Sequence, residues 1–370
     1  ERSLWMDEYR EFHRANRGAP GARYLVYYCG PDQNTCAGTG DRVRSMLYLL
    51  RVAAVHRMIF IAKWSLPNNL TLVLEPHEID WRPEGLPESV LSTVGKEYNT
   101  FSDEQFFATV QFGGPHVERW ARTPIHTTTA WPASIVDHQI WNTTLWSGKN
   151  NFMTLLGPLG GVPKDRREQW FREFQWYIDI SSCWWHYTFK PTEAVVRKAQ
   201  ESLEAAYVLQ PGMAPPSFVA WHWRTGGQRG ETSIIRAENQ EFFRPRLQQL
   251  ISSINCVRAM ALSHAVTVPV LIVTDLNLFR SWIRSGGMGP GVTTLPSIAV
   301  HVDQTGGEPE HLVNIMAEAL VLSRAECLLI SQSGFSNIAL MMRTGSLCYH
   351  HIDVCLQEQE SLFAGVRVRR

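Results

Sequence analysis

The stretch Ser217-Phe-Val-Ala-Trp-His-Trp-Arg-Thr-Gly-Gly227 decides the fold, because an apolar run leads directly into basic residues and glycines. Residues 217–221 predict a β-strand, and His222 and Arg224 follow at its carboxyl end. In open parallel sheets, ligands bind at the carboxyl ends of the strands. The stretch therefore predicts a buried strand that ends at a binding site.

A regular alternation of apolar runs and helical patterns surrounds this stretch in the second half of the chain. Such an alternation is typical of a parallel sheet with right-handed crossovers, as in a Rossmann-like domain. The predicted strands are residues 217–221, 268–273, 298–302, 327–330 and 347–350. The predicted helices are residues 239–264, 278–285, 310–323 and 336–343.

The first half opens with a strand-helix-strand pattern around a glycine-rich turn, Gly38-Thr-Gly-Asp-Arg42. An apolar run at residues 24–28 precedes the turn. A helix with apolar residues from Val43 to Ala54 follows it, and a second strand is predicted at residues 58–62. Further helices are predicted at residues 166–177 and 193–208.

The length of 370 residues exceeds the usual size of one hydrophobic core, so two domains are expected. The segment Pro211-Gly-Met-Ala-Pro-Pro216 predicts a linker between them. We therefore predict an α/β fold class, with domains at residues 1–210 and 211–370. Whether the C-terminal end packs back on the first domain stays open.

The composition excludes several classes of function. The formal net charge of zero gives no electrostatic basis for binding nucleic acid or an anionic membrane. The chain has no apolar run of about 18 residues, which a membrane-spanning helix needs. It begins at Glu1 rather than Met, which favours a processed or trimmed chain. A membrane anchor would then have preceded Glu1.

The seven cysteines are the first sign of a secretory protein. Cys29 with Cys36 and Cys348 with Cys355 are each spaced to close a short loop, whereas Cys327 lies in an apolar strand pattern and is predicted to be a buried thiol. The sequons at Asn69 and Asn142 favour the same compartment, the lumen of the Golgi or endoplasmic reticulum.

Polar residues follow three of the predicted strands. They are His222 and Arg224, then Asp275, and then the segment from Ser331 to Ser336. Arginine binds diphosphates bidentately, and hydroxyls with a helix N-terminus also bind anions, so the three strand ends predict an anion site. Simpler roles remain open: a core histidine for His222, a helix cap for Asp275, and a turn with a cap for the serines.

Metal binding is not predicted. The sequence contains no Asp-x-Asp, His-Glu-x-x-His or Cys-x-x-Cys motif. His350 and His351 are adjacent, and neighbouring residues of a strand face opposite sides of the sheet.

Three blocks of sequence resemble the GT-B fucosyltransferase group, which includes the protein O-fucosyltransferases, the α1,6-fucosyltransferases and the plant xyloglucan type. The three blocks follow one another in the chain in the same order as in the group. The blocks are Cys36–Arg42 with residues 57–61 and 74–81, residues 219–226, and residues 325–336.

The resemblance implies a GT-B-like fold, with two Rossmann-like domains and a cleft between them. Residues 1–210 would form the acceptor side, and residues 211–370 would bind the nucleotide sugar. Arg224 would hold the donor diphosphate, and Asp41 would be the first candidate for a catalytic base. Glu326 stands where the group has an aspartate that reads the base. The donor-binding residues would be Gly38, Gly40, Arg42, His222, Gly226, Asp275, Glu326, Ser331, Ser333, Gly334, Phe335 and Ser336.

The implied activity is an inverting, metal-independent transfer of fucose from GDP-fucose to a hydroxyl of a glycan or glycoprotein. Glu78 and Asp80 are the acceptor-side candidates. No cofactor is implied, and the expected partners are the nucleotide sugar and the acceptor, without nucleic acid. Two alternatives stay open: a transferase of the same fold that uses another donor, such as a UDP-sugar, and a non-catalytic glycan-binding protein.

Overall fold

A computed structural model describes residues 4–22, 24–29, 38–55, 57–86, 178–179, 181–207, 209–210, 213, 216–224, 253–259, 270–299, 307–331, 333–344 and 348–352. These residues fall into two compact units. One unit holds residues 4–192 and 307–312, and the other holds residues 193–299 and 313–352. None of the described helices is long and apolar enough to cross a membrane.

The first unit contains the predicted strand-helix-strand element. Strand β1 (Tyr24–Cys29) pairs in parallel with β2 (Ile59–Trp64), and helix α2 (Thr39–Val55) connects them. Short antiparallel strands β3 (Leu74–Pro76) and β4 (Phe189–Pro191) follow, with residues 181–188 helical before β4.

Helix α1 (Leu4–Asn16) also packs on the first unit, although the sequence analysis did not predict it. The hydroxyl of Tyr9 donates to the carbonyl of Met58 at 2.9 Å and accepts from the backbone N–H of Phe60 at 3.1 Å. The buried His13 donates from Nε2 to the carbonyl of Phe60 at 3.1 Å. Two of the buried positions of this helix are thus a tyrosine and a histidine, which weakens the apolar pattern.

The second unit is built on a parallel sheet in the order β7-β6-β5-β8-β9. Every residue of the three central strands is buried, which explains why they are nearly continuous apolar runs, interrupted only by His222 in β5 and Thr274 in β6. The strands are β5 (Val219–Trp223), β6 (Val270–Thr274), β7 (Val292–Thr294), β8 (Cys327–Ile330) and β9 (Tyr349–His351).

Four helices of the described part accompany this sheet in sequence. Their bounds confirm the predicted helices near residues 193–208, 278–285, 310–323 and 336–343. They are α3 (Glu193–Tyr207), α4 (Asn277–Arg284), α5 (Pro309–Ser323) and α6 (Gly334–Met341). Residues 253–259 of the predicted helix 239–264 are also helical, whereas the predicted helix 166–177 lies outside the described residues.

One strand prediction is wrong. The described part of the predicted strand 298–302, Ile298 and Ala299, is not a strand, and Ile298 is 67% exposed. The strand at this side of the sheet is instead β7, which pairs with β6. Asn277 fastens the misread segment by exchanging two hydrogen bonds with the backbone of Ala299, at 3.0 and 2.7 Å.

The cysteine predictions also change. Cys327 and Cys348 form a disulfide, so Cys327 is not a thiol and Cys348 does not pair with Cys355. The reason is the sheet order: β8 and β9 are parallel neighbours, and the two cysteines meet at the same edge with a Cα–Cα distance of 4.7 Å. Cys29 is disulfide-bonded, but its predicted partner, Cys36, lies outside the described residues.

The domain boundary at residue 210 stays a prediction. Helix α3, which precedes that boundary, groups with the second unit. The hydroxyl of Thr293 in β7 donates to the carbonyl of Ala206 in α3 at 2.8 Å, which fastens the helix to the edge of the sheet.

Candidate functional site

Polar side chains gather at the carboxyl ends of β6, β5 and β8, which are neighbouring parallel strands. The polar residues that follow three apolar runs in the sequence predict this convergence. We refer to His222, Arg224, Asp275, Ser331 and Ser336 as the carboxyl-edge cluster.

A chain of hydrogen bonds joins three members of the cluster. Nδ1 of His222 lies 2.6 Å from Oγ of Ser336, and that hydroxyl donates to the carbonyl of Ser331 at 3.2 Å. A hydroxyl has one proton, so Nδ1 of His222 carries the hydrogen and donates to Ser336. The histidine therefore links the end of β5 to the first turn of α6.

Charge is excluded from this histidine. Burial, with smaller contributions from the charges of Arg224 and Arg280, lowers the pKa of His222 to about 3. The ring packs against Phe335, with 5.1 Å between centroids. His222 is therefore neutral at physiological pH, and the simpler role of a satisfied buried histidine describes its contacts within the protein.

Arg224 brings a positive charge to the edge of the sheet. Its backbone N–H donates to Oγ of Ser331 at 2.9 Å, which fixes the residue just beyond β5. Its Nε lies 3.5 Å from Oδ2 of Asp275, and the side chains are 24% and 14% exposed. The simpler role of a helix cap is wrong for Asp275, because Leu276 occupies the N-cap position of α4 and no side chain caps the helix there.

Helix α6 begins beside the cluster. Oγ of Ser333 accepts from the backbone N–H of Phe335 at 3.2 Å, so Ser333 is the N-cap. Ser336 lies within the helix, is buried, and bonds to His222 instead of capping. The N-terminus of a helix carries a partial positive charge, and that of α6, which begins with Gly334 and Phe335, adds to the charge of Arg224.

Glu326 is not part of the cluster. It precedes β8, whereas Ser331 follows it, so the two residues lie at opposite ends of the strand. Its backbone N–H donates to the carbonyl of Phe218 at 2.7 Å, and Oε1 accepts from the hydroxyl of Ser217 at 2.7 Å. Glu326 therefore does not join the cluster, and its contact with the nucleotide stays a prediction.

The predicted residues of the glycine-rich turn belong to the first unit. Gly38 and Gly40 lie at the start of α2, where the carbonyl of Gly38 accepts from the backbone N–H of Arg42 at 3.1 Å. Arg42 is fully buried, donates to the carbonyl of Leu66, and stands 4.7 Å above the ring of Trp64. Its guanidinium thus contacts the interior of this unit. The donor-binding roles of Gly38, Gly40 and Arg42 stay predictions.

The acceptor-side candidates are held by arginines. Glu78 accepts from Arg10 at 3.1 Å, and Asp80 accepts from Arg82 at 2.8 Å. Partial burial raises the pKa of Asp80, but the hydrogen bonds and charges of Arg82 and Arg17 outweigh it, so the pKa lies below its usual value. A lower pKa makes Asp80 a weaker proton acceptor.

Two predicted site positions lie partly or wholly outside the described residues. The side chain of Asp41 and all of Gly226 lie outside the described part of the chain. Among the described residues, the group close enough to share a metal ion is Cys327, Cys348 and His350, and the two sulfurs of that group form the disulfide.

The structure also shows a residue pair that the sequence analysis missed. Arg280 and Glu318 form a buried ion pair behind the turn that carries Asp275. The two residues are 38 positions apart and belong to different helices, so no local pattern signals the pair.

Comparison with known proteins gives likeness in structure alone. No family model matches the sequence, and no curated protein matches it. A mutant of Arabidopsis thaliana FUT1, solved in complex with GDP, matches at a TM-score of 0.53 with 11% identity; the match covers 94% of this chain and 78% of FUT1.

Structures of POFUT1 match at lower TM-scores. The structure without ligand gives 0.42 at 12% identity, over 90% of this chain and 98% of POFUT1. A complex with GDP-fucose gives 0.39 at 13% identity, over 90% of this chain and 99% of POFUT1. The likeness to FUT1 shows that this chain has the GT-B-like α/β fold that its sequence predicts.

Proposed function

We propose that this chain is a glycosyltransferase that uses a nucleotide sugar, and that the donor is GDP-fucose. The observation that carries the proposal is the carboxyl-edge cluster. A permanently charged arginine and a helix N-terminus meet at the carboxyl ends of neighbouring parallel strands, where open α/β sheets bind their ligands.

The cluster suits the charge that develops when a nucleoside diphosphate leaves a sugar. An acceptor oxygen forms a bond to the anomeric carbon from the opposite face, and the bond from that carbon to the diphosphate oxygen breaks. The electron pair departs with the diphosphate, next to Arg224 and the start of α6 in the proposed complex. Each preformed donor at such a place lowers the barrier by about 3 kcal/mol.

Independence from metal ions is part of the proposal. Many diphosphate leaving groups are neutralised by a divalent cation, which needs carboxylate ligands. The sequence has no Asp-x-Asp motif, and Arg224 offers a fixed positive charge in the cluster. Activity that persists in excess chelator supports this part of the proposal, and activity that returns only with added Mg²⁺ or Mn²⁺ contradicts it.

The choice of GDP-fucose has two supports. The sequence blocks around Arg42, Arg224 and Ser333 resemble the GT-B fucosyltransferase group. FUT1, whose fold this chain shares, was solved in complex with GDP. The proposed base is still Asp41, which takes the proton of the acceptor hydroxyl, because the lowered pKa of Asp80 disfavours that carboxylate.

Thermal unfolding with added nucleotides tests the donor. We expect GDP to raise Tm and UDP or ADP to have little effect, because a ligand at 100 times its Kd stabilises the folded state by about 2.7 kcal/mol. A shift with UDP alone points to the UDP-sugar alternative. A shift with GDP but no release of GDP from GDP-fucose, with or without acceptors, points to a binding protein. The anomeric configuration of the product, read by NMR, tests inversion.

We also propose that the protein works in the secretory pathway. The Cys327–Cys348 disulfide favours an oxidising compartment. Asn69, in a sequon, is exposed beside a short helical turn, where a glycan has room. The protein should be expressed in a secreting eukaryotic cell and treated with an enzyme that removes N-glycans. We expect the treatment to lower the apparent mass of the protein. The decrease should be smaller for the Asn69→Gln variant.

A further inference from the structure

A buried arginine holds the turn that carries Asp275. Arg280, in α4, is 1% exposed, and its Nε donates to the carbonyl of Thr274 at 2.7 Å. Thr274 is the last residue of β6, and its hydroxyl accepts from the backbone N–H of Leu276 at 3.3 Å. Hydrogen bonds therefore fix the backbone on both sides of Asp275.

The guanidinium of Arg280 is itself held on its other side. Its Nη1 and Nη2 donate to the two carboxylate oxygens of Glu318, at 2.5 and 2.9 Å. Ser297 completes the arrangement: its hydroxyl accepts from Arg280 at 3.1 Å and donates to Glu318 at 2.6 Å. Burying two opposite charges is costly unless they are paired with good geometry, as they are in this network.

The network holds Thr274, the residue directly before Asp275 of the carboxyl-edge cluster. It fixes the carbonyl of Thr274, the next residue is Asp275, and the Asp275 carboxylate lies 3.5 Å from Nε of Arg224. We propose that Arg280 is a positioning residue that sets the direction of the Arg224 guanidinium through the β6–α4 turn and Asp275. This inference rests on the proposed function, because it needs a diphosphate for Arg224 to bind.

The opposite end of the sheet offers a matched control. Arg343 is 8% exposed and donates to the backbone carbonyls of Glu326 at 3.0 Å and Cys348 at 3.4 Å. It is thus a second buried arginine that fastens strand ends of the same sheet, but at the amino ends. A loss of stability alone should affect Arg280 and Arg343 variants alike, whereas a loss of positioning should affect only Arg280 variants.

The experiment compares Arg280→Lys with Arg343→Lys in the full chain. Lysine keeps the positive charge and removes the planar set of donors, so the field at the site changes little. We expect both variants to lower Tm. Titration calorimetry with GDP should show a Kd raised about tenfold by Arg280→Lys and unchanged within about twofold by Arg343→Lys, in line with the effect of a small misplacement on a positioned group.

A double mutant shows whether Arg280 acts through Asp275. Asp275→Asn should raise the Kd for GDP, and adding Arg280→Lys to it should raise the Kd no further, because the link is already broken. Full additivity of the two effects overturns the proposal. If Arg280→Lys does not fold, Ser297→Ala loosens the same network more gently and should still raise the Kd.

The outcomes separate this inference from the proposed function. A wild-type chain that binds neither GDP nor UDP sinks the proposed function, and the positioning role falls with it. A wild-type chain that binds GDP while Arg280→Lys binds it equally well leaves the function intact and overturns only the positioning role. If UDP is the nucleotide that binds, the same comparison is made with UDP.

Discussion

The two ends of the parallel sheet in the second unit both carry polar residues, yet they differ in how those residues are used. At the amino ends, Ser217 bonds to Glu326, Arg343 bonds to backbone carbonyls, and a disulfide joins β8 to β9. At the carboxyl ends, Arg224 is a quarter exposed beside Asp275 and the start of α6. The difference shows that one end fastens the strands, whereas the other holds a partly exposed positive charge, which we propose binds the donor diphosphate.

Removing the exposed charge at the carboxyl ends should have the largest effect. Arg224→Ala should lower turnover of GDP-fucose about 10²–10³-fold, which is the usual loss when one donor to a developing negative charge is removed. The unfolding free energy should change by less than about 1 kcal/mol, since the side chain is partly exposed. Steady-state kinetics and chemical denaturation measure the two quantities, and near-normal turnover would reject the role in phosphate binding.

Opening the disulfide at the amino ends should affect stability and leave binding unchanged. Cys327 and Cys348 are separated by 21 residues, and a loop of this size loses about 3 kcal/mol of stability when its cross-link is removed. The double variant Cys327→Ala with Cys348→Ala should show this loss in guanidinium denaturation. The Kd for GDP should stay within about twofold of the wild-type value; a tenfold weaker Kd would show that the two ends of the sheet are coupled.

The sequence predicted the carboxyl ends better than the amino ends, for a physical reason. Buried parallel strands appear as nearly continuous apolar runs, and a charged residue follows directly after the end of β5, at Arg224. The pairing of Cys327 depends instead on the order of strands, which neighbouring residues do not determine. Strand β7 was missed because it has three residues, two of them only partly buried.

The same distinction explains what was missed elsewhere. Helix α1 has Tyr9 and His13 at buried positions. Because these residues carry polar groups, the buried face of the helix does not appear as an apolar pattern in the sequence. The Arg280–Glu318 pair joins helices far apart in the chain, and only the packed structure brings the two together. Local chemistry could therefore be predicted, whereas contacts between distant elements could not.

Acid should destabilise the folded chain through His13 and His222, two buried histidines of the described part whose pKa values are lowered. Burial, aided by the charge of Arg17, lowers the pKa of His13 to about 4, and the pKa of His222 is about 3. Between pH 6.5 and 4 the unfolded chain binds protons that the folded chain rejects, so stability falls as pH falls. The slope is at most about 1.4 kcal/mol per pH unit for each histidine.

Denaturation midpoints at pH 7, 6 and 5 measure this slope. His13→Asn removes the titrating group in the first unit and should flatten the pH dependence while leaving the Kd for GDP at pH 7 unchanged. A stability that is level from pH 7 to pH 5 would contradict the prediction. In the His13→Asn variant, the stability of the second unit should still fall with pH, because His222 still titrates there.

The smallest effect is expected from a substitution of Glu326. This substitution tests whether the amino ends of the strands only fasten the sheet or also bind the nucleotide. Glu326→Gln keeps an oxygen that can accept from Ser217, and the bond is exposed, so the loss of stability should be below about 1 kcal/mol. If the amino ends only fasten the strands, the Kd for GDP and the preference for GDP over ADP should not change. If Glu326 reads the base, as the resemblance to fucosyltransferases implies, removing its charge should weaken GDP about tenfold and reduce that preference. The second result would extend the nucleotide site along the whole of β8.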